Sequence, residues 1–134
     1  MTDYLLDTNH ASWLLEQRET IIARLRQART VDSTFGISVT VLGELYYAVY
    51  ASQRATENLH RLQALVGTFT LWAFDALAAQ EFGRIQAEQK AKGRPIPPMD
   101  AQIAAVARLN NLTLLTDDHH FAFIDGITVE NWHA

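Results

Sequence analysis

Four acidic residues occupy places where a carboxylate is unusual. Asp7 and Asp118 each follow a short apolar run of strand-forming residues. Glu44 and Asp100 lie among apolar residues in two helical stretches, and no Lys or Arg occurs within one helical turn of either. Burying a carboxylate without a cation costs roughly several kcal/mol of folding free energy. These groups therefore need a positive partner, which the neighbouring residues do not supply.

Clustered carboxylate oxygens are the ligands that Mg²⁺ and Mn²⁺ prefer, and such ions also bind substrate phosphates. The chain has 11 Lys and Arg against 15 Asp and Glu, a formal net charge of −4. Removing the four unusual acids from the count leaves 11 acids against 11 bases. Two divalent ions would therefore cancel the excess, which answers the objection that a nucleic-acid-binding chain is usually basic.

Length and composition predict a single globular domain over residues 1–134, with 49% hydrophobic and 19% charged residues. The absence of cysteine excludes disulfide scaffolds, cysteine-ligated zinc, iron–sulfur clusters and thiol nucleophiles. No apolar run approaches the ~20 residues that cross a bilayer, and the first residues do not resemble a signal peptide. We therefore expect a cytoplasmic protein.

Apolar runs alternate with helical stretches along the chain, which predicts a three-layer α/β/α domain around a parallel sheet. We expect strands at 4–6, 35–38, 69–71, 112–116 and 127–129, and helices at 9–16, 19–29, 40–51, 56–66, 76–92 and 99–109. Ligands in such sheets bind beyond the carboxyl ends of the strands. If the first and fourth strands are neighbours, ~4.8 Å apart, Asp7 and Asp118 meet at that edge.

Structural explanations for individual acids stay open at this point. Glu44 would fit a crowded helix surface or an ion pair with a distant arginine, and Asp100 would suit the first turn of a helix. Asp75 is expected to cap the helix that follows it. Glu57, Glu81 and Glu88 are expected on solvated helix faces.

Four segments, in this order, resemble the PIN-domain nucleases, and most closely the VapC-type toxins of bacterial toxin–antitoxin pairs. They are Leu5-Leu6-Asp7-Thr8-Asn9, Ser38 with Glu44-Leu45, Asp100-Ala101-Gln102-Ile103-Ala104-Ala105, and Leu114-Leu115-Thr116-Asp117-Asp118-His119-His120-Phe121. Each segment alone is a weak signal, whereas the ordered set covers essentially the whole chain.

The resemblance implies a five-stranded parallel sheet in the order 3-2-1-4-5. It makes Asp7, Glu44, Asp100 and Asp118 the metal-binding and catalytic residues, with Thr8, Asn9, Thr116 and Asp117 in support. Thr116 stands two residues before Asp118, and this spacing selects Asp118 rather than Asp117. The implied activity is Mg²⁺-dependent hydrolysis of RNA phosphodiester bonds, with Mn²⁺ as a substitute. The implied partners are a second copy of the chain and a VapB-type antitoxin, with DNA contacted only through that antitoxin.

The main alternative is a PIN-like interaction module without catalytic activity. A haloacid-dehalogenase-type phosphatase would need a second Asp two positions after the first acid, where this chain has Asn9. His119 and His120 are candidates for metal or phosphate contact, or for plain surface positions.

Apolar helices point to partner surfaces. We expect a homodimer through the helix over 40–51 and the next helix, which carries Leu59, Leu62, Leu65 and Val66. Tyr46, Tyr47 and Tyr50 would pack there or stack on RNA bases. Trp13 and Leu14 are expected in an antitoxin groove, and the antitoxin is expected to place an arginine against the four acids.

Overall fold

The computed structural model describes residues 2–133, which form one five-stranded parallel sheet. Its strands are β1 (Asp3–Leu6), β2 (Thr34–Ser38), β3 (Thr70–Trp72), β4 (Thr113–Leu115) and β5 (Thr128–Glu130). They lie in the order β3-β2-β1-β4-β5, which confirms the predicted α/β fold and strand order. Leu5 of β1 is in register with Gly36 of β2 on one side and with Leu114 of β4 on the other.

Helices connect the strands, as parallel pairing requires. They are α1 (Thr8–Leu15), α2 (Glu19–Arg29), α3 (Val39–Tyr50), α4 (Ala55–Val66), α5 (Ala76–Ala91) and α6 (Pro98–Leu109). Their ends differ from the predicted ends by at most one residue. A 3-10 turn over His119–Phe123, which the sequence patterns did not predict, follows β4.

The central strands are buried on both sides. Leu5, Leu6, Ile37, Leu114 and Leu115 are each at most 1% exposed. This explains why these strands read as continuous apolar runs instead of alternating ones. Because Leu6 of β1 is paired with Leu115 of β4, the first and fourth strands end side by side in the middle of the sheet.

Gly36 is required where β2 meets the edge strand β3. A Cβ atom there would lie 2.6 Å from the carbonyl oxygen of Thr70 and 2.7 Å from Nε1 of Trp72. Any side chain at this position would force the two strands apart.

Glu81 corrects one prediction, because it is not a solvated acid. It is buried, and both of its carboxylate oxygens accept hydrogen bonds, one from Arg84 and one from Arg108. Burial alone would raise the pKa of Glu81, but the hydrogen bonds from the two arginines outweigh that effect and lower it. Arg108 also binds Glu88, so this network fastens α5 to α6.

The apolar side of α4 is used within the chain, which corrects part of the case for a dimer surface. Leu62 is fully buried, and Leu59, Leu65 and Val66 pack against the core. The apolar groups of this region that stay exposed are on α3, where Tyr47 and Tyr50 are 76% and 66% exposed.

Leu14 and Trp13 of α1 are likewise packed within the chain. Leu14 belongs to the hydrophobic core, and the ring of Trp13 stacks on that of His133 at a centroid distance of 4.0 Å. In residues 2–133, no helix combines the length and the apolar character needed to cross a membrane.

Candidate active site

The four unusual acids line one cavity at the carboxyl edge of the sheet. Asp7 follows β1 and Asp118 follows β4, while Glu44 comes from α3 and Asp100 from the first turn of α6. The cavity has a volume of about 210 Å³, and its other walls are Thr8, Asn9, Ile103 and Phe121. Residues up to 111 positions apart in the sequence (7 and 118) are thus brought together, as the strand order predicts.

Asp7 is held in place by a residue that the sequence patterns did not single out. Its Oδ1 accepts the backbone N–H of His10 at 2.8 Å and lies 3.2 Å from the ring Nδ1 of the same histidine. The His10 ring is fully buried, and its Nε2 accepts the backbone N–H of Trp132 at 3.1 Å. Because Nε2 is an acceptor, a neutral His10 carries its proton on Nδ1 and donates it to Asp7.

This arrangement orients the carboxylate. Asp7 also caps α1, so its backbone and side chain are both fixed at the start of that helix. One oxygen is engaged by His10, and within residues 2–133 no hydrogen bond reaches the other. The position of His10, three residues after an aspartate that caps a helix, is the sequence signal that could have indicated it.

Thr8 and Asn9 support the site in different ways. Thr8 Oγ1 donates a hydrogen bond to Glu44 Oε1 at 2.6 Å, which ties α1 to α3 and directs the glutamate. Asn9 Nδ2 donates to Asp117 Oδ1 at 3.1 Å. Asp117 is exposed and does not line the cavity, so its contact in this structure is with Asn9.

Asp118 is positioned by the turn that follows β4. The buried Thr116 accepts the backbone N–H of Asp118 on its Oγ1 at 3.0 Å. Asp118 Oδ1 in turn accepts the backbone N–H of His120 at 2.9 Å and lies 2.8 Å from His120 Nδ1. His119 and His120 were both candidates for contact with the site, and His120 is the one that contacts an acid of the cavity.

The carboxylates in the cavity repel one another. Partial burial, followed by the nearby charges of Asp118, Glu44 and Asp7, raises the pKa of Asp100. In the described part of the chain, no Lys or Arg forms a salt bridge with any of the four acids, and the basic side chains that do contact them are the imidazoles of His10 and His120. The distant ion pair considered for Glu44 is thus not seen, whereas Asp100 does lie in a first helical turn.

The donor set suits a hard divalent cation. Within residues 2–133, no three acidic or histidine side chains lie close enough together to coordinate one ion directly. Mg²⁺ keeps several of its waters and commonly binds through one or two carboxylates, so an open cavity with four carboxylates on its walls fits it. The acids that would hold it are Asp7, Glu44, Asp100 and Asp118.

We predict that Asp100→Asn melts at the same temperature as the wild type or a few degrees higher in metal-free buffer. A raised pKa means that ionised Asp100 weakens the fold above its folded-state pKa, a cost that is absent below the pKa of the unfolded chain. Magnesium should stabilise the wild type by about 2–3 kcal/mol at 100 times its Kd, and the variant by less. Thermal unfolding with and without MgCl₂ measures both effects.

Asp117→Asn is the matched control, because it removes an acid outside the cavity and keeps an oxygen that Asn9 can donate to. Its response to magnesium should equal that of the wild type. A strongly destabilised Asp100→Asn would show instead that Asp100 belongs to a structural ion pair.

Comparison with known proteins places the chain. A family model described as PIN domain matches residues 4–127. The tRNA(fMet)-specific endonuclease VapC of Shigella flexneri is 31% identical over 134 aligned residues, which cover 98% of this chain and 99% of the relative.

Solved structures agree with this match. The structure of VapBC2 from Rickettsia felis bound to a promoter DNA fragment has a chain with a TM-score of 0.91 and 28% identity, covering 98% of this chain and 99% of its own. DNA-bound VapBC from Salmonella typhimurium gives a TM-score of 0.89 and 30% identity with the same coverage. The resemblance found in the sequence is thereby confirmed: the chain belongs to the PIN domain family and, within it, to the VapC proteins.

Proposed function

We propose that this protein is a metal-dependent endoribonuclease, the toxin of a VapBC-type toxin–antitoxin pair, with Mg²⁺ as its cofactor and Mn²⁺ as a substitute. The observation that carries the proposal is a single cavity lined by four carboxylates that no Lys or Arg of residues 2–133 neutralises. The relatives support the activity, since the one from Shigella flexneri is named tRNA(fMet)-specific endonuclease VapC and one from Haemophilus influenzae is named Ribonuclease VapC2.

The chemistry follows from what the chain holds fixed. When bound, a divalent ion lowers the pKa of a water molecule and stabilises charge on the phosphate and the leaving oxygen. His10 orients Asp7, Thr8 orients Glu44, and Thr116 shapes the turn that presents Asp118. These acids would hold the metal and orient water, and none needs to act as a covalent nucleophile.

Transfer RNA is the substrate class that we propose first. Two curated relatives, from Shigella flexneri and Salmonella typhimurium, are named tRNA(fMet)-specific endonucleases, and they are 31% and 30% identical to this chain over nearly its full length. Initiator tRNA is therefore the substrate of choice for a first assay.

Cleavage of RNA should require both metal and Asp7. Incubation with initiator tRNA and with total RNA should give fragments in MgCl₂ and none in excess chelator. Asp7→Asn keeps the hydrogen bonds to His10 possible but removes the charge, so we expect at least about a hundredfold slower cleavage. The readout is fragment formation on a denaturing gel.

Asp125→Asn is the control for that assay, since Asp125 is an exposed acid paired with Lys92 and lies outside the cavity. It should cleave at the wild-type rate. Cleavage that survives chelation or the Asp7 substitution would contradict the metal-nuclease proposal, and a wild type without any RNA cleavage would favour an interaction module that lacks catalytic activity.

We further propose that a VapB-type antitoxin docks in a groove between α1, α3 and α4. The groove has a volume of about 210 Å³, and its apolar lining includes Leu15, Leu45 and Val49. Ser12 and Leu15 line it, rather than the Trp13 and Leu14 expected from the sequence. The antitoxin would also place an arginine against the four acids, and it would supply the contacts to DNA.

A homodimer through α3 is the second partner that we propose. Tyr47 and Tyr50 are large and exposed, and the rings of Tyr46 and Tyr50 stack at a centroid distance of 5.9 Å. Exposed aromatic rings grouped on one helix are typical of protein–protein contact surfaces.

Sedimentation should give a dimer at micromolar concentration for the wild type and a monomer for the double variant Tyr47→Ser, Tyr50→Ser. Val31→Ser, which removes another exposed apolar side chain, is the control and should stay dimeric. A wild-type monomer at that concentration would contradict the dimer proposal.

The proposed inhibition by the antitoxin has its own test. A complex with the antitoxin in which the acidic cavity contains no basic group and still binds magnesium unchanged would contradict that mode of inhibition.

A further inference from the structure

A second cavity lies beside the acidic one and is not needed for holding the metal. It has a volume of about 320 Å³, at the lower end of the range of small-molecule pockets, ~300–1,000 Å³. Its walls come from the last turn of α5, the connector between α5 and α6, and the 3-10 turn after β4: Gln89, Arg94, Pro95, Ile96, His119, His120 and Phe123.

The two cavities are neighbours on the surface. A small space between them is lined by Ile96, Asp100, His120, Phe121 and Ile124. Asp100 and Phe121 also line the acidic cavity, while Ile96 and His120 also line the second one. The second cavity is therefore next to any strand bound at the four acids.

Arg94 gives the second cavity a positive charge with no carboxylate against it. Within residues 2–133 its guanidinium forms no salt bridge, whereas Arg84, Arg61 and Arg108 are each paired with a glutamate. The Arg94 guanidinium lies over the ring of Phe123, 4.0 Å from the ring centroid. Stacked in this way, the guanidinium is oriented while its N–H donors remain available at its edge.

The backbone beneath Arg94 is also fixed. Gln89, 1% exposed, donates a hydrogen bond from Nε2 to the carbonyl oxygen of Arg94 at 3.2 Å. Lys92, the nearest other cation in sequence along the connector, is already engaged by the carbonyl oxygen of Phe123 and by Asp125. Arg94 is thus the cation that this region offers to a ligand.

Aromatic rings continue from the acidic cavity toward Arg94. The His120 ring contacts Asp118, and the centroid of the His119 ring lies 4.5 Å from the centroid of the His120 ring. The centroid of the Phe123 ring lies 6.3 Å from that of His119, and the two rings are inclined at 84°. His119 is exposed, so one of its faces is accessible to a flat ligand. A cation beside exposed rings is the combination that binds single-stranded nucleic acid without reading its sequence.

Resting on the proposed ribonuclease function, we propose that this second cavity binds the nucleotide next to the scissile phosphate. Arg94 donates hydrogen bonds to a phosphate of the RNA strand, and the His119 ring stacks on a base. The chain has a net charge of −4, and its four acids repel the strand until metal is present. A fixed arginine next to them supplies the attraction that the bulk charge does not.

The test separates binding from catalysis. With initiator tRNA and MgCl₂, Arg94→Gln should raise KM about tenfold or more, as expected for losing a hydrogen bond to a charged group, and should leave kcat within about twofold. The salt dependence of binding should weaken by about 0.7 in its logarithmic slope, the value for one phosphate contact to a single strand. His119→Ala should raise KM about fivefold or more and leave that slope unchanged.

Two further variants serve as controls. Arg26→Gln removes the same charge from α2, which contributes no wall to either cavity, and should behave as the wild type. Arg94→Lys keeps the charge and should restore the salt slope. Melting temperatures of all variants exclude loss of fold as the cause.

The outcomes distinguish the two proposals. If the wild type cleaves RNA but Arg94→Gln matches Arg26→Gln in KM and salt slope, the nucleotide subsite is wrong and the ribonuclease proposal stands. A fall in kcat at unchanged KM would also overturn the subsite. If the wild type neither binds nor cleaves RNA, both proposals fail.

Discussion

Mutual repulsion among four carboxylates is the constraint on which the structure of this site depends. Asp7, Glu44, Asp100 and Asp118 come from four different parts of the chain, and no Lys or Arg of residues 2–133 pairs with them. Like charges in a partly desolvated cavity separate unless they are held. Parallel strands that end side by side, two capped turns and the hydrogen bond from Thr8 to Glu44 hold them in place.

Glu81, which lies outside the cavity, contrasts with these four acids. Glu81 is as buried as a core residue, yet two arginines bind it, and its pKa is lowered even though burial alone would raise it. That paired network joins α5 to α6, the helix that carries Asp100. The fold therefore neutralises an acid where it needs a stable contact between helices and leaves acids unpaired where a cation from outside would bind. Arg94, which lines the neighbouring cavity and has no carboxylate partner within residues 2–133, is the complementary case of an unpaired cation.

Much of this arrangement could be predicted from local sequence, and the failures share one cause. The strands, the helices and the four acids follow from apolar periodicity and from ordered segments near the strand ends. The bond between His10 and Trp132 joins residues 122 positions apart, and the ion pair of Arg108 with Glu81 spans 27 positions. No local pattern contains these contacts.

The central claim is that the four carboxylates form a metal site. Its most direct test is an anomalous difference map from crystals of the protein soaked in MnCl₂. We expect a manganese peak inside the acidic cavity, within coordination distance of Asp7 and at least one of the other three acids, that disappears in crystals of Asp7→Asn. A cavity without a peak at millimolar manganese, or one in which a basic side chain from the chain itself fills the position of the ion, would contradict the account.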